Sequence, residues 1–325
     1  MKATNDTLLL ETENMKILFM GSPEFAVVSL MRLYSKGYDI VGVVSVPDKP
    51  KGRGKKLTPT PVKVAAEELG IEVFCPSTLR DGAFLEVLKR LDPDMIVVVA
   101  YGKILPRYVI DYPRLGCINV HGSLLPEYRG AAPMQRAIID GKAKTGITTM
   151  YMDAGLDTGD MLLKKELEIK PEDNFEDVHD ALAELGACAI CETVELALRG
   201  ELVREVQDDS LSTYAEKITK EECRIDFSAD AKTLHNKIRG MSPFPLAYTN
   251  MPDGSILKIV KARVSERPKG NAAQGEVISL EGGVISVACG DGVIDVLGVL
   301  PEGKGRMPAS DFINGRKIKA GDILC

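Results

Sequence analysis

Residues 15–46 read MKILFMGSPEFAVVSLMRLYSKGYDIVGVVSV, and this stretch decides the fold class. Lys16–Met20 (KILFM) and Ile40–Val46 (IVGVVSV) are short runs rich in aliphatic residues, as buried strands are. Between them, Pro23–Lys36 has proline at an N1-like position and Gly37 at its end, which predicts a helix. The strands are apolar almost throughout rather than alternating, the pattern of a parallel sheet covered on both faces. The same grammar continues outward. Ile71–Phe74, Met95–Ala100 (MIVVVA), Cys117–Val120 and Ile147–Met152 read as further strands, and Pro61–Leu69 and Asp81–Leu91 as further helices. The expectation is a parallel-sheet, Rossmann-like α/β domain, with ligands bound beyond the carboxyl ends of its strands.

A long helix follows at Phe175–Arg199, its apolar face carried by Leu182, Leu185, Ile190, Val194 and Ala197. Gly200–Glu216 is polar and reads as a linker. Asp230–Arg239 reads as a helix broken by Ser242–Pro245 (SPFP). Leu257–Val264, Gly275–Leu280, Val284–Ala288 and Val293–Leu300 are closely spaced strand candidates with glycine turns between them. They predict a smaller β-rich, OB-like barrel. The expected division is an extension at 1–14, disordered, then a first domain at 15–200, a linker at 201–216 and a second domain at 217–325.

The 325 residues carry 45% hydrophobic and 27% charged side chains, which excludes whole-chain disorder, collagen and coiled coil. No apolar run approaches the roughly 20 residues that span a bilayer, and the acidic N-terminal stretch does not resemble a signal peptide. Seven scattered cysteines, an odd number, fit reduced thiols in a cytoplasm. The net charge of -6 hides an asymmetry: residues 217–325 hold 16 basic and 13 acidic side chains. A surplus of this kind fits a polyanion surface or an ordinary solvated one.

Four stretches could carry chemistry. The first is Gly21-Ser22-Pro23-Glu24-Phe25, which has one glycine where a dinucleotide fingerprint needs three, and no P-loop string occurs anywhere. The second is Gly116–Pro133, GCINVHGSLLPEYRGAAP. Asn119 and His121 lie two apart, on one side of a strand, and both can donate hydrogen bonds there. The chain has three histidines, and His179 and His235 are expected to face solvent on helices. A histidine such as His121 is also a common structural residue; its neighbouring asparagine and its place at a strand end set it apart. Third, Met152–Asp160 (MDAGLDTGD) holds Asp153, Asp157 and Asp160. It admits a carboxylate partner for His121, a metal loop or a solvated turn, though EF-hand spacing is absent. Fourth, Val46–Lys63 (VPDKPKGRGKKLTPTPVK) concentrates lysine and arginine among glycines and prolines that argue against regular structure, leaving a basic loop or a merely solvated one. A serine-hydrolase reading through Ser123 lacks the G-x-S-x-G elbow. Cys188 and Cys191 form a lone C-x-x-C, better read as buried thiols than as zinc ligands.

Taken together, VPDKPKGRGKKLTPTPVK, VVVAYGKILP, GCINVHGSLLPEYRGAAPMQRAI and MDAGLDTGDML resemble the methionyl-tRNA formyltransferase family, from about Met15 to the C-terminus. The Asn-x-His, SLLP and Leu-Asp-x-Gly pieces are shared by formyltransferases at large. The basic insertion and TYAEKITKEECRIDFS, which leads into the second domain, narrow the resemblance to the tRNA enzymes. One departure is Tyr128, where the family often has tryptophan; this chain contains none. The resemblance implies formyl transfer from 10-formyltetrahydrofolate, consumed as a co-substrate, to the amino group of initiator methionyl-tRNA. No tightly bound cofactor, catalytic metal, membrane or obligate protein partner is implied. It assigns catalysis to Asn119, His121 and Asp157. It assigns folate binding to Ala100, Tyr101, Gly102, Ile104 and Leu105, and to Ser123, Leu124, Leu125 and Pro126. It assigns tRNA binding to Lys49, Lys51, Arg53, Lys55 and Lys56, with the second domain on the tRNA body. The rivals are a formyltransferase for another amine, a non-catalytic RNA binder on the same fold, and a folate-dependent hydrolase.

Overall fold

The computed structural model describes residues 15–51 and 56–325. They divide into two compact units. The first holds the described residues up to Gly130 with Gly146–Leu167 and His179–Tyr214; the second holds Ala131–Thr145, Glu168–Val178 and Ala215–Cys325.

Along the chain come β1 (Lys16–Gly21), α1 (Glu24–Ser35), β2 (Asp39–Val44), β3 (Lys49–Lys51), β4 (Lys56–Thr58), α2 (Pro61–Glu68), β5 (Val73–Phe74) and α3 (Leu85–Leu91). Then follow β6 (Met95–Val99), α4 (Arg107–Ile110), β7 (Cys117–His121), β8 (Arg129–Gly130), α5 (Pro133–Ile139), β9 (Lys144–Tyr151), β10 (Met161–Glu168) and α6 (Phe175–Leu198). Seven strands form one sheet in the order β10-β9-β7-β6-β1-β2-β5. Five of them, β5, β2, β1, β6 and β7, run parallel. The sheet is nonetheless mixed, because β9 joins β7 antiparallel. The helix in that connection, α5, belongs to the second unit rather than to this sheet's cover, so the chain returns to β7 without the crossover that a parallel addition needs. β1, β6 and most of β7 are buried, so the aliphatic runs mark the sheet's interior.

From β1 the chain builds β2 and β5 on one side, then returns to place β6 and β7 on the other. The strand order thus reverses between β1 and β6, the kind of switch point beyond whose carboxyl ends open α/β sheets bind ligands. Gly21 sits at this switch point. A Cβ there would lie 2.8 Å from Ala26 Cβ and 2.9 Å from the Val99 carbonyl, so glycine serves close packing rather than a phosphate. Gly186 lets α6 close on β7, where a Cβ would stand 3.1 Å from Val120 Cγ1.

Two local expectations change. Helix α3 starts at Leu85 rather than Asp81, because Gly82 holds φ at +76° and breaks the run. The basic stretch is not devoid of regular structure: β3 and β4 pair antiparallel, Lys49 opposite Thr58 and Lys51 opposite Lys56. Pro50 is tolerated because a two-stranded ladder has outer edges where a missing N–H costs nothing.

After β11 (Tyr214–Ala215), which straddles the division, the second unit adds α7 (Ala231–Gly240), β12 (Ala247–Asn250), β13 (Ile256–Ser265), β14 (Val277–Ser279), β15 (Ile285–Ala288), β16 (Val293–Pro301), β17 (Met307–Pro308) and α8 (Ala309–Asn314). Its antiparallel half-barrel sheet runs β12-β13-β16-β15-β14, with β17 also paired to β16. Bulges at Lys261 bend β13. Asp230 caps α7, its carboxylate accepting from the Thr233 amide at 2.9 Å. Leu234, Ile238, Leu257, Ile259, Val287 and Phe312 belong to one core beneath the sheet. His235 is buried there at 8% exposure, against the expectation that it faces solvent, because α7 is short and its buried face takes in Leu234, His235, Ile238 and Arg239. His179 is half-buried with its ring 5.4 Å from Phe25. Of the C-x-x-C pair, Cys191 is buried but Cys188 is exposed, its Sγ accepting from the surface side chain of Arg32 at 3.1 Å. Among the described residues no helix is long and apolar enough to cross a membrane.

Candidate active site

The site gathers at the carboxyl end of β7. Parallel pairing of β6 with β7 sets Asn119 opposite Val98, and strand alternation puts His121 on the same side as Asn119. Asn119 is half-buried and its side chain makes no hydrogen bond among the described residues, which leaves its N–H donors available. His121 is 5% exposed. Its Nε2 lies 2.9 Å from the Tyr128 carbonyl; a carbonyl only accepts, so Nε2 carries hydrogen and donates. Nδ1 is the nitrogen left for chemistry, and it faces Asp157 Oδ2 at 3.6 Å. That carboxylate oxygen also accepts from the Gly130 amide at 2.9 Å.

Asp157 holds φ at +55°, a left-handed conformation uncommon outside glycine, which aspartate adopts more readily than most residues and which local contacts restrain here. Restraint comes from inside the loop and outside it. Asp153 accepts from the Gly155 amide and the Thr158 hydroxyl at 2.9 and 2.8 Å. Gln207 donates through Nε2 to the carbonyls of Asp157 and Gly159, both at 2.8 Å. Of the three aspartates, Asp157 alone reaches His121, while Asp153 builds the turn. Among the described residues no group of three His, Cys, Asp or Glu side chains is disposed to hold a metal.

The stretches expected to bind folate leave from the neighbouring ends of β6 and β7. Ala100 (φ +47°), Gly102 and Ile104 are exposed, whereas Tyr101 and Leu105 are buried anchors of the loop. Burial pushes the Tyr101 phenol up to about 12, so it stays neutral. Ser22 Oγ donates to the Tyr101 carbonyl at 3.3 Å, tying the loop to the end of β1. A cleft of about 260 Å³ opens beside Ile104, lined by Ser77, Thr78, Leu79, Arg80 and Lys103. In the second stretch Ser123 and Leu125 are buried, and Leu124 and Pro126 are half-exposed. Thr148 on β9 pins it: the hydroxyl donates to the Ser123 carbonyl at 2.7 Å and accepts from the Leu125 amide at 3.1 Å.

The basic hairpin exposes Lys49 and Lys56. Arg53, Lys55 and the side chain of Lys51 lie outside the described residues, as does the 1–14 extension. Both feet of the hairpin are fixed. Lys63 reaches both Asp48 oxygens at 3.0 and 3.1 Å, and this bond raises the lysine's pKa. Thr60 caps α2 while its hydroxyl meets Ser45 Oγ at 2.6 Å.

Residues 15–194 match the formyl transferase family and residues 217–317 match the formyl transferase C-terminal domain. A methionyl-tRNA formyltransferase of Citrifermentans bemidjiense is 47% identical over 95% of this chain and 96% of its own. One of Geotalea daltonii is 48% identical over 95% and 98%. The chain belongs to the methionyl-tRNA formyltransferase family. Its fold is also that of HypX from Aquifex aeolicus, solved in complex with tetrahydrofolic acid, at a TM-score of 0.65 and 18% identity. That likeness covers 94% of this chain and 48% of HypX, so the chain spans about half the length of that protein.

Three residues around this candidate site carry no mark in the sequence. Gln207 sat in a polar stretch read as linker, with nothing in its type to mark it. Thr148 lay inside a strand. Arg129 stood within the quoted motif, yet only the fold shows it buried, at 9% exposure, against Gln207 and Asp209.

Proposed function

We propose that the chain transfers the formyl group of 10-formyltetrahydrofolate to the α-amino group of initiator methionyl-tRNA, giving N-formylmethionyl-tRNA for translation initiation in the cytoplasm. The carrying observation is the His121 Nδ1–Asp157 approach beside the open amide of Asn119, in a chain nearly half identical to methionyl-tRNA formyltransferases.

The neutral amine attacks the formyl carbon, and negative charge grows on the formyl oxygen. Asn119 N–H and a proton on His121 Nδ1 stabilise it; one such donor is commonly worth about 2.7–4 kcal/mol. At 3.6 Å from Asp157, that proton is not held in a short hydrogen bond and remains free to donate. Asp157 orients the ring and accepts the proton the amine sheds. Collapse breaks the bond from the formyl carbon to folate N10, which takes a proton and leaves as tetrahydrofolate. The pterin lies against Ala100–Leu105 and Ser123–Pro126. The folate's anionic tail runs toward Arg80 and Lys103 in the neighbouring cleft. No tightly bound cofactor, metal or obligate protein partner takes part.

The catalytic domain is 15–200, joined through 201–216 to a tRNA-binding domain at 217–325, whose cationic surface meets phosphates. The basic hairpin, with Lys49, Lys51, Arg53, Lys55 and Lys56, contacts the acceptor end. Steady-state formylation by Asn119→Ala and Asp157→Asn tests the site. The expected result is a loss of kcat of about 100-fold or more with folate KM little changed. Full activity in either variant would remove that residue from catalysis.

A further inference from the structure

We propose that Gln207 is a positioning residue for Asp157, so that the segment joining the two family matches is a working part of the active-site wall. This rests on the catalytic role proposed for Asp157. Gln207 is 7% exposed. Its Oε1 accepts from Arg129 Nε at 3.0 Å and Nη2 at 2.8 Å. Its Nε2 spends both hydrogens on the carbonyls of Asp157 and Gly159, each at 2.8 Å. Two guanidinium donors on one side and two carbonyl acceptors on the other permit one orientation of the amide and no other side chain of this size. One of the carbonyls it holds is that of Asp157 itself, whose φ is +55°, and the other is two residues on, so Gln207 restrains the backbone that leads out of the Asp157 Cα and with it the direction of the carboxylate.

The anchor of Gln207 is itself anchored. Arg129 Nη2 also donates to Asp209 Oδ1 at 2.7 Å, and the Arg129 amide donates to the Thr213 carbonyl at 2.9 Å. The Tyr128 amide donates to Thr213 Oγ1 at 2.8 Å, which steadies the residue whose carbonyl holds His121 Nε2. Glu205 exchanges two backbone bonds with Met161, both 2.9 Å, at the exit of the Asp157 loop. Residues 205–213 thus stitch together the loop that carries Asp157 and the loop that holds His121. Gln207 is the point where a single amide touches both.

The test is a double-mutant cycle in the full chain, read by steady-state formylation of methionyl-tRNA. Gln207→Glu keeps size and the Arg129 pairing but sets an oxygen against two carbonyl oxygens. Gln207→Met removes the donors without adding charge and covers the case in which the first variant does not fold. The expected loss is on the order of 100-fold in kcat, as for a misplacement near 1 Å, with both KM values within about 3-fold. In an Asp157→Asn background the same substitution should cost nothing further, because its effect acts through Asp157. An equal loss in both backgrounds, or unchanged kcat in both Gln207 variants, would overturn the proposal while leaving Asp157 catalytic. A kcat insensitive to Asp157→Asn would overturn the catalytic reading and the positioning role with it.

Discussion

Replacing Thr148 with valine isolates what one buried hydroxyl does for the folate-side loop. The side chain is fully buried and its hydroxyl is the partner of both the Ser123 carbonyl and the Leu125 amide. Valine has nearly the same shape, so no cavity opens. Two buried backbone groups lose their partner, at about 1–3 kcal/mol each, offset by under about 1 kcal/mol for the added methyl. The net cost is roughly 1–6 kcal/mol, which for a unit near 200 residues at about 2–4 °C per kcal/mol lowers Tm by roughly 2–24 °C. Because the loop carries Leu124 and Pro126, KM for the formyl donor should rise as well. The same strand supplies the control. Thr145 is 3% exposed, and its hydroxyl has no hydrogen-bond partner among the described residues. Thr145→Val strands nothing and should be neutral or stabilising. Urea unfolding of both variants decides. Equal destabilisation of the two would refute the claim that the hydroxyl's partners, rather than strand packing, set the cost.

Two further outcomes follow from the charges. His235 has its pKa pushed below the usual histidine value, chiefly by burial and further by Arg239, against a smaller opposing pull from Glu172. The unfolded chain therefore binds more protons than the native one just below about pH 6.5, so stability held above that pH drains away as pH falls toward the native pKa. His235→Gln should shrink the drop in Tm between about pH 7.5 and pH 5; an unchanged drop would show that other groups set it. Arg53→Ala should raise KM for tRNA severalfold and flatten its dependence on salt while sparing slow hydrolysis of the formyl donor. Parallel loss of both activities would contradict that division of labour.

The fold is legible in the sequence where a residue's type and its burial agree. The aliphatic runs of β1, β2, β6 and β7 mark the centre of the sheet, and Asn119 and His121 stand on one side of β7 as the two-residue period requires. It is hidden where polar residues do structural work. Strand β10, MLLKKELE, lies at the sheet edge with an alternating exposed face, and its lysines and glutamates conceal it. The hairpin β3–β4 forms despite Pro50 because its ladder has open edges. Gln207 and Asp209 look like any solvated connection until tertiary contacts close around Arg129. Nor does spacing alone choose among Asp153, Asp157 and Asp160; the choice rests on a backbone held at positive φ and on distances across the fold.

Formyl transfer from 10-formyltetrahydrofolate to charged initiator methionyl-tRNA, with uncharged tRNA and His121→Ala as controls, tests the central claim most directly. The expected result is robust transfer that needs both the aminoacyl group and His121. Release of formate without a formylated aminoacyl product would contradict it and mark the chain as a hydrolase or as a transferase for another amine.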